Sequence, residues 1–450
     1  MLAANPRKNL RSRWRASVLV GVLWCVALLA VMVVGLLHTT RLDLRIARQQ
    51  ADKIQAHYLA IAGIEKAKAL LLNDALTRSR SGVHHAAGLY DAPAHFRDVP
   101  LGRGQFRIIR PPSSDEAQAM MYGVLDEGSR LNINTVEAAE LGKIVGLTPD
   151  VAAAIVDWRD GDNAVSPGGA EAPYYTSLQP PYLPRNASFQ TLRELLMVRG
   201  ITSDLLLGDP KPVTDGAPVG RTSAGSSSVG SELSSEEGWA RWLTAHSKVE
   251  NVDASGVARI PIQTADVGQL TGIQGITTDI ARAIVAHRER NRFQTVIDLL
   301  DVRKGQQGRN VPGVGQASGP TLINETLLKD IADRLTIEEG TELTGLVNAN
   351  TASVEVLQCL PGMDRTLAEA VISHRRANGY FQSVADLLGV AGFNRELVKQ
   401  LAPRFTTRAE TFRILSEGRV GIDGVTQRIQ AVVHVALQRV TTLAYREDDL

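Results

Sequence analysis

The sequence is poor in cysteine, in aromatic residues and in net charge. Its two cysteines, Cys25 and Cys359, lie far apart in a hydrophobic run and in a helical repeat, so we expect neither a disulfide nor a thiolate zinc site. Aromatic residues make up 5% of the 450 residues, and the formal net charge is +1. Because no overall electrostatic field draws such a chain to nucleic acid or anionic lipid, its partners must be recognised by local surfaces.

The sequence motifs of common catalytic sites are also missing. The chain contains no HExxH, GxSxG or P-loop pattern and no Ser-His-Asp order. Several histidines lie outside any metal-ligand spacing: His38, His57, His84, His85 and His95. We therefore expect no enzymatic activity and no organic cofactor, and function has to be read from the domain organisation.

A long hydrophobic run lies near the N-terminus. Residues 17–37 carry no charge, and about 20 apolar residues suffice to cross the hydrocarbon core of a bilayer. Residues 1–16 are basic without any acidic residue, so the positive-inside rule predicts a cytoplasmic N-terminus, one membrane span and an extracytoplasmic bulk. A cleaved secretory signal is the alternative, although its apolar core is usually about 7 to 15 residues long.

The fold class is predicted as α+β. Helical periodicity continues past the span without a proline before Pro93, which indicates one long N-terminal helix. Strand-like segments occur in two separate parts of the chain: 104–110 and 120–127 follow the helix, and 411–420 and 428–440 lie near the C-terminus. We expect these strands to form one small antiparallel sheet packed on the helix, interrupted by a large α-helical insertion.

Three internal repeats fill this insertion and have the order of helix-hairpin-helix units. Each begins with an extended segment ending in a threonine, whose hydroxyl is expected to cap the next helix. These threonines are Thr135, Thr264 and Thr351. A tight turn then leads to a second helix, and the turn glycines are Gly146, Gly275 and Gly362.

The predicted organisation divides the chain into a leader, a span, a split domain and an insertion. The boundaries are a cytoplasmic leader at 1–16, a transmembrane helix at 17–37, a discontinuous α/β domain at 38–127 and 404–450, a first hairpin unit with an acidic insert at 128–208, a disordered Ser/Gly/Pro-rich linker at 209–238, a second unit at 239–303, a loose linker at 304–320 and a third unit at 321–403.

Nucleic-acid binding is not expected of these hairpins. Units that bind DNA point backbone N–H groups at a phosphate, which requires a second glycine close to the first. Thr148, Thr277 and Asp364 stand at that second position here. The arginines around Arg288 and Arg375 are interpreted as solvated helix ends rather than as phosphate contacts.

The first repeat contains an acidic insert. Asp157, Asp160, Asp162 and Glu171 surround a glycine-rich turn, and their carboxylates are the hard oxygen donors that calcium prefers. The alternative is ordinary turn chemistry, in which Asp beside Gly stabilises a bend without any metal. Calcium is therefore an expected cofactor, with the second interpretation left open.

Taken together, these features resemble the type II secretion minor pseudopilins of the general secretion pathway protein K family. The resemblance is carried by RASVLVGVLW at the span, LDEGSRLNINT, DWRDGD with GAEAPYYTSLQPPY, VNANTAS and TTRAETFRILSEGRV. It implies a pilin-like fold interrupted by a helical domain, a position with other minor pseudopilins at the tip of a periplasmic pseudopilus, and a role in protein export across the outer membrane. It also implies calcium binding by the acidic set.

The same resemblance implies processing and partners. A prepilin peptidase would cut between Ala16 and Ser17 and methylate the new N-terminus, although Ala16 stands where the family usually has glycine. Gly21 replaces the glutamate that pilins generally carry at the fifth mature position, which suits a terminal subunit. The implied partners are other minor pseudopilins, the inner-membrane secretion platform and the peptidase. The alternative is a membrane-tethered DNA-binding receptor of the competence type.

Overall fold

The structure, a computed structural model, describes residues 10–82, 87–112, 120–208, 238–304, 320–421, 424–437 and 439–447. Its α-helices are α1 (Leu10–Ser81), α2 (Pro93–Phe96), α3 (Ala138–Leu141), α4 (Pro149–Arg159), α5 (Ala172–Thr176), α6 (Ser203–Leu207), α7 (Val267–Thr271), α8 (Thr278–Arg288), α9 (Glu325–Ala332), α10 (Val354–Leu357), α11 (Arg365–Asn378) and α12 (Arg395–Leu401).

The strands are mostly short. They are β1 (Val99–Leu101), β2 (Gly104–Ile109), β3 (Leu125–Asp126), β4 (Leu131–Asn132), β5 (Leu243–Thr244), β6 (Lys248–Glu250), β7 (Ile260–Pro261), β8 (Leu335–Thr336), β9 (Glu342–Thr344), β10 (Val347–Asn348), β11 (Phe405–Thr406), β12 (Thr411–Val420), β13 (Thr426–Ala436) and β14 (Arg439–Arg446).

The first helix has two different halves. Near its beginning an 18-residue window reaches a mean hydropathy of 2.8 with none of it buried, so this part is long and apolar enough to cross a membrane. From Ala56 onward one face is buried, with Ala60, Ile64, Ala67 and Leu71 recurring at helical spacing. The predicted long helix that begins in an apolar span and ends against a domain is confirmed.

One antiparallel sheet packs against the second half of α1. Its strand order is β1-β2-β12-β13-β14, and β3 pairs with β12 off this path. Strands from both ends of the sequence therefore share one sheet, which confirms the α+β prediction of a sheet split by an insertion. Glu417 on β12 forms ion pairs with Arg107 on β2 and Arg428 on β13, so these three strands are also tied by charge.

Two glycines allow the helix and the sheet to approach closely. A Cβ atom on Gly418 would overlap the backbone carbonyl of Ala56 and lie 2.6 Å from the backbone nitrogen of Ala60. From the other side, a Cβ on Gly63 would overlap the Ser416 hydroxyl. Because backbone atoms cannot move out of the way as a flexible side chain can, Gly418 fixes the contact between α1 and β12.

Some strand boundaries differ from the prediction. The segment expected at 120–127 forms only β3, preceded by an isolated bridge between Arg110 and Met121. The segment expected at 428–440 is not one strand, because Ala436 pairs directly with Arg439 and the chain reverses between them. The third C-terminal strand, β14, was missed because no glycine or proline marks the reversal.

The insertion leaves and re-enters the sheet at neighbouring positions. Asp126 on β3 and Phe412 on β12 are direct partners in an antiparallel pair. In such a pair the Cα atoms are about 5 Å apart, so the two ends of the insertion meet. The hairpin units therefore form a module attached to the sheet through one pair of strands.

Each hairpin unit is closed by a parallel pair of short strands. β4 pairs with β5, β7 with β8 and β10 with β11, so the segment that opens a unit contacts the segment that ends it. The boundaries at 239 and 321 are therefore wrong: residues 239–244 close the first unit and residues 321–336 close the second. The two predicted linkers, 209–238 and 304–320, fall almost entirely outside the described residues.

The units contact one another and the sheet. Lys143 of the first unit donates hydrogen bonds to the carbonyls of Gln358 and Leu360 in the third, at 3.2 and 2.7 Å. Lys399 of the third unit pairs with Asp298 and Asp301 of the second, at 3.1 and 2.8 Å. The three units therefore pack against one another and are not independent domains joined only by linkers.

Candidate functional site

The acidic side chains of the first unit meet at one place. Asp157 lies in the last turn of α4, Asp160 caps the end of that helix, and Glu171 precedes α5. One ligand atom from each of the three lies within 4.8 Å of the others, and among the described residues this is the group with metal-binding composition. Three of the four carboxylates predicted from the sequence are therefore brought together by the fold.

The electrostatics of this acidic cluster are unfavourable as it stands. Asp157 and Glu171 are fully buried. Within the described part of the chain, Asp157 Oδ1, Asp160 Oδ1 and both carboxylate oxygens of Glu171 are buried without a hydrogen-bond partner. Burial, followed by the neighbouring carboxylates, raises the pKa of Asp160 and of Glu171. A divalent cation would supply the missing positive charge, and carboxylate oxygens are its preferred donors.

Asp162 does not join the cluster. Its Oδ1 accepts a hydrogen bond from the backbone of Ala164 at 2.8 Å, the geometry of an ordinary Asx turn. Asn186 is a residue that the sequence reasoning missed: its side-chain nitrogen donates to the Asp162 carbonyl and to Asn163, and its Oδ1 is buried without a partner. No local spacing signals this residue, because it reaches the loop from the far end of the insert.

The loop around the cluster is well supported. The Ser166 backbone donates to Asp157 Oδ2 at 3.1 Å, and Gly169 packs so closely that a Cβ would overlap the same oxygen. Trp158 forms edge-on contacts with Tyr175 and Tyr182, with ring centroids 5.0 and 6.2 Å apart. The insert is therefore a folded loop that packs on aromatic side chains. This packing holds the carboxylates of the cluster in fixed positions.

The hairpin turns have the backbone conformation expected of their glycines. Gly146, Gly275 and Gly362 have φ values of +79°, +96° and +70°, in the left-handed region that favours glycine. The helix after each turn is capped by the side chain at the position of the missing second glycine. Thr148, Thr277 and Asp364 accept hydrogen bonds from the backbone at Val151, Ile280 and Leu367.

The surfaces of two hairpins are occupied by other parts of the chain. Trp239 Nε1 donates to the Val145 carbonyl in the first hairpin at 3.2 Å. The Lys143 ammonium binds carbonyls around the third hairpin, including Leu360 at 2.7 Å. Helix N-termini that already have caps, beside turns that already have intramolecular partners, offer little to a phosphate.

The predicted threonine caps are wrong. The N-cap positions of the first helix of each unit are Glu137, Asp266 and Ser353, two positions further along the chain, and the Ser353 side chain makes no cap hydrogen bond. The threonines belong to the preceding turn, where the backbone N–H of Thr135 donates to Asn132 and that of Thr351 to Asn348. The Thr351 hydroxyl instead donates to Asp126 at 2.6 Å, linking the third unit to the sheet.

One arginine in each unit has a structural role that the sequence reading missed. Arg288 donates to the carbonyls of Ile262 and Ala265, and Arg375 donates to Ala349 and Ala352. Arg159 makes the equivalent pair of bonds in the first unit. These guanidinium groups tie the second helix of each unit to its opening turn, so they are not simply solvated helix ends.

The proposed cleavage residues, Ala16 and Ser17, lie within α1, and nothing in the structure tests whether the chain is cut between them. That processing site stays a prediction.

Two family models match the chain. Residues 129–207 match the model for type II secretion system (T2SS), protein K. Residues 257–304 and 344–406 match the helix-hairpin-helix motif. The first match covers the acidic cluster and its folded loop, and the second covers the other two hairpin units.

Curated relatives divide in the same way. Type II secretion system protein K of Pectobacterium carotovorum subsp. carotovorum is 26% identical over 202 residues, covering 44% of this chain and 61% of that protein. ComE operon protein 1 of Bacillus subtilis (strain 168) is 36% identical over 63 residues, covering 14% of this chain and 31% of that protein. Endonuclease/exonuclease/phosphatase family domain-containing protein 1 of Bos taurus is 28% identical over 155 residues, covering 32% of this chain and 27% of that protein.

The match to the bovine protein thus spans about a quarter of its length. Among solved structures, a chain of the GspK-GspI-GspJ complex from the enterotoxigenic Escherichia coli type 2 secretion system aligns with 90% of this chain and 100% of its own length, at 12% identity and a TM-score of 0.40.

Proposed function

We propose that the chain is a minor pseudopilin of the type II secretion system protein K family, that it lies at the tip of a pseudopilus and that it contributes to protein export across the outer membrane. The match of residues 129–207 to the protein K model and the similarity to the Pectobacterium protein support this proposal. The chain acts through assembly and not through catalysis. The observation that carries this proposal is the attachment of a bulky hairpin module to a helix-and-sheet domain through a single strand pair, Asp126 with Phe412.

The membrane arrangement follows from the two halves of α1. The apolar half spans the inner membrane with the basic N-terminal residues in the cytoplasm, and the sheet and hairpin units lie in the periplasm. Several side chains of α1 just beyond the span are apolar and exposed, including Leu42, Ile46 and Ile54. They provide a surface for the helices of other minor pseudopilins, while the secretion platform and the prepilin peptidase act at the membrane.

The size of the hairpin module would prevent a further subunit from adding to the end of the fibre. The module occupies the space beyond β3 and β12, so a further subunit that docked there by its own helix and sheet would collide with it. Gly21 in the span is consistent with a position at the end of the fibre. A glutamate buried in the membrane needs a polar partner on a neighbouring subunit, and a subunit without that glutamate does not need such a neighbour.

Calcium belongs to the same proposal. The residues that would hold it are Asp157, Asp160 and Glu171, and four of their buried oxygens have no hydrogen-bond partner among the described residues: Asp157 Oδ1, Asp160 Oδ1 and both carboxylate oxygens of Glu171. The chemistry that calcium supplies is charge neutralisation of the carboxylates, which fixes the loop between α4 and α5. Ordinary turn chemistry accounts for Asp162 but leaves those oxygens unexplained.

The experiment that tests the tip proposal removes the hairpin module. Because Asp126 and Phe412 are direct partners, residues 127–411 can be replaced by Asn-Gly, a sequence suited to a two-residue hairpin turn. We expect this variant to reach the membrane and to co-purify with the other minor pseudopilins, and we expect secretion into the medium to be lost. A matched variant that lacks only residues 212–235 should secrete normally. Normal secretion by a stably expressed variant without the module would contradict the proposal.

DNA binding is the competing function, favoured by the similarity to ComE operon protein 1. The side-chain caps on Thr148, Thr277 and Asp364 weigh against it. Phosphate contacts are strongest at low salt, so a mobility-shift titration of duplex DNA at low ionic strength separates the two functions. We expect no retardation; retardation that weakens steeply as salt is added would support the competing function.

A further inference from the structure

A cavity of about 450 Å³ lies between the sheet domain and the first and third hairpin units. Apolar and aromatic walls come from Leu125 on β3, from Trp242 just before β5 and from Val356 on α10. Its volume is within the range of about 300–1,000 Å³ that is typical of ligand sites. The acidic cluster of the first unit does not line this cavity. Calcium binding at the cluster therefore assigns no function to the cavity.

The charged residues that line the cavity are mostly cationic. They are Arg110, Arg130, Arg241, Arg375 and Arg376, with Asp126 as the carboxylate. Asp126 is already engaged, because it accepts hydrogen bonds from Asn348 at 2.7 Å and from Thr351 at 2.6 Å. Burial raises the pKa of Asp126 to about 6.

Arg130 is the residue that most requires an anion. Its side chain is 5% exposed, and its Nη1 is buried without a hydrogen-bond partner. The nearest acidic neighbour in sequence, Glu127, is engaged by Arg413 and by the Thr244 hydroxyl. Burial, followed by the charge on Arg413, lowers the pKa of Arg130 to about 9. A buried guanidinium nitrogen without a hydrogen-bond partner is unfavourable, and the cavity that Arg130 lines has room for an anion near this side chain.

We propose that this cavity binds the carboxylates of an acidic peptide segment from a protein partner, with Arg130 as the buried anchor. Guanidinium groups form bidentate, charge-assisted hydrogen bonds with carboxylates. The apolar wall formed by Leu125, Trp242 and Val356 favours a peptide over free phosphate, because the aliphatic parts of Glu or Asp side chains can pack against it. The site lies where three parts of the chain meet, so an occupant would also fix their relative positions.

The test measures thermal unfolding of the full-length chain in detergent. The probes are a blocked Gly-Glu-Glu-Gly peptide, a matched Gly-Gln-Gln-Gly peptide and inorganic phosphate, all at one low ionic strength. We expect the Glu peptide alone to raise the Tm, in a saturable manner. Arg130→Met should abolish this rise without lowering the Tm measured in the absence of peptide, since it removes a buried charge with a nitrogen, Nη1, that has no hydrogen-bond partner.

A second variant changes an exposed residue, so its result does not depend on whether a substitution in the protein interior folds. Arg376 is exposed at the cavity, and Arg376→Gln should weaken the apparent affinity for the Glu peptide about tenfold, the effect of one lost charge-assisted contact. Arg282 is exposed on α8, and Arg282→Gln is the matched control that should behave as wild type.

Three results would overturn the proposal. The first is a Tm that does not respond to the Glu peptide in wild type, and the second is an equal response in Arg130→Met. The third is a response to phosphate that is as large as that to the peptide.

Discussion

At the scale of single residues, buried carboxylate oxygens without hydrogen-bond partners are the most informative feature of the described residues. Asp157, Asp160 and Glu171 could be proposed from their chemistry in the sequence, because all three flank one glycine-rich turn. Asp162 could not be separated from them by spacing, since only the fold shows that its carboxylate closes an Asx turn onto Ala164. Asn186 could not be predicted at all, because tertiary folding alone brings it to the loop.

Calcium binding predicts a specific change in stability. At a free calcium concentration about 100 times the Kd, binding to the folded state adds about 2.7 kcal/mol to the free energy of unfolding. We expect excess chelator to lower the Tm of wild type, and a double variant with Asp157→Asn and Glu171→Gln to be insensitive to calcium. Asp279→Asn, at an exposed position on α8, is the matched control and should respond as wild type. A double variant that still responds fully would rule out this site.

Asp126 predicts a dependence of stability on pH. Its pKa is raised from 3.8 to about 6, chiefly by burial and against the hydrogen bonds from Thr351, Asn348 and Gly128. The folded chain therefore binds more protons than the unfolded chain between these values, so the contribution is fully present below pH 3.8 and is lost as pH rises through 6. A shift of about two units corresponds to about 3 kcal/mol.

Urea unfolding at a series of pH values measures this effect. We expect the difference in free energy of unfolding between wild type and Asp126→Asn to change by about 2.4 kcal/mol from pH 4 to pH 7, in favour of the variant at the higher pH. Asp279→Asn should run parallel to wild type. Parallel profiles for Asp126→Asn and wild type would show that the carboxyl titrates normally in the folded chain.

At the scale of helices and strands, the contact between α1 and β12 organises the sheet domain. The sequence predicted the helix from its periodicity and β12 from its alternation, and both are confirmed. It did not predict the reversal between β13 and β14, because the residues there read as one apolar run. It also missed the strand that closes each hairpin unit, because a two-residue strand such as Phe405–Thr406 has no periodicity to detect.

Gly418→Ala tests the helix-sheet contact. The added Cβ would overlap the Ala56 carbonyl, and backbone on both sides prevents relief by a side-chain movement. We expect a loss of about 1–3 kcal/mol in the free energy of unfolding, the usual cost of overpacking. Gly88→Ala is the matched control, since a Cβ at Gly88 meets nothing within 4 Å. Equal unfolding midpoints for the two variants in a urea titration would mean that α1 and β12 are packed less closely than described.

At the scale of the whole molecule, polar residues join the module to the sheet. Asp126 binds Asn348 and Thr351 of the third unit, and Glu127 binds Thr244 of the first unit and Arg413 of β12. Arg408, which pairs with Glu410, donates to the carbonyls of Val252 and Asp253 near the second unit. The LDEGS segment was predicted to end the first half of the sheet, but its role as the junction of the first unit, the third unit and the sheet depends on contacts between residues more than a hundred positions apart.

The central claim is that this chain passes through the pilin-processing pathway and works as a minor pseudopilin. N-terminal mass spectrometry of the protein extracted from membranes tests it most directly. The account predicts a mature chain that starts at N-methylated Ser17, after a cut that follows Ala16. A chain that keeps the basic residues before Ser17, in cells with an active prepilin peptidase, would contradict the account and would favour a simple membrane-tethered hairpin protein.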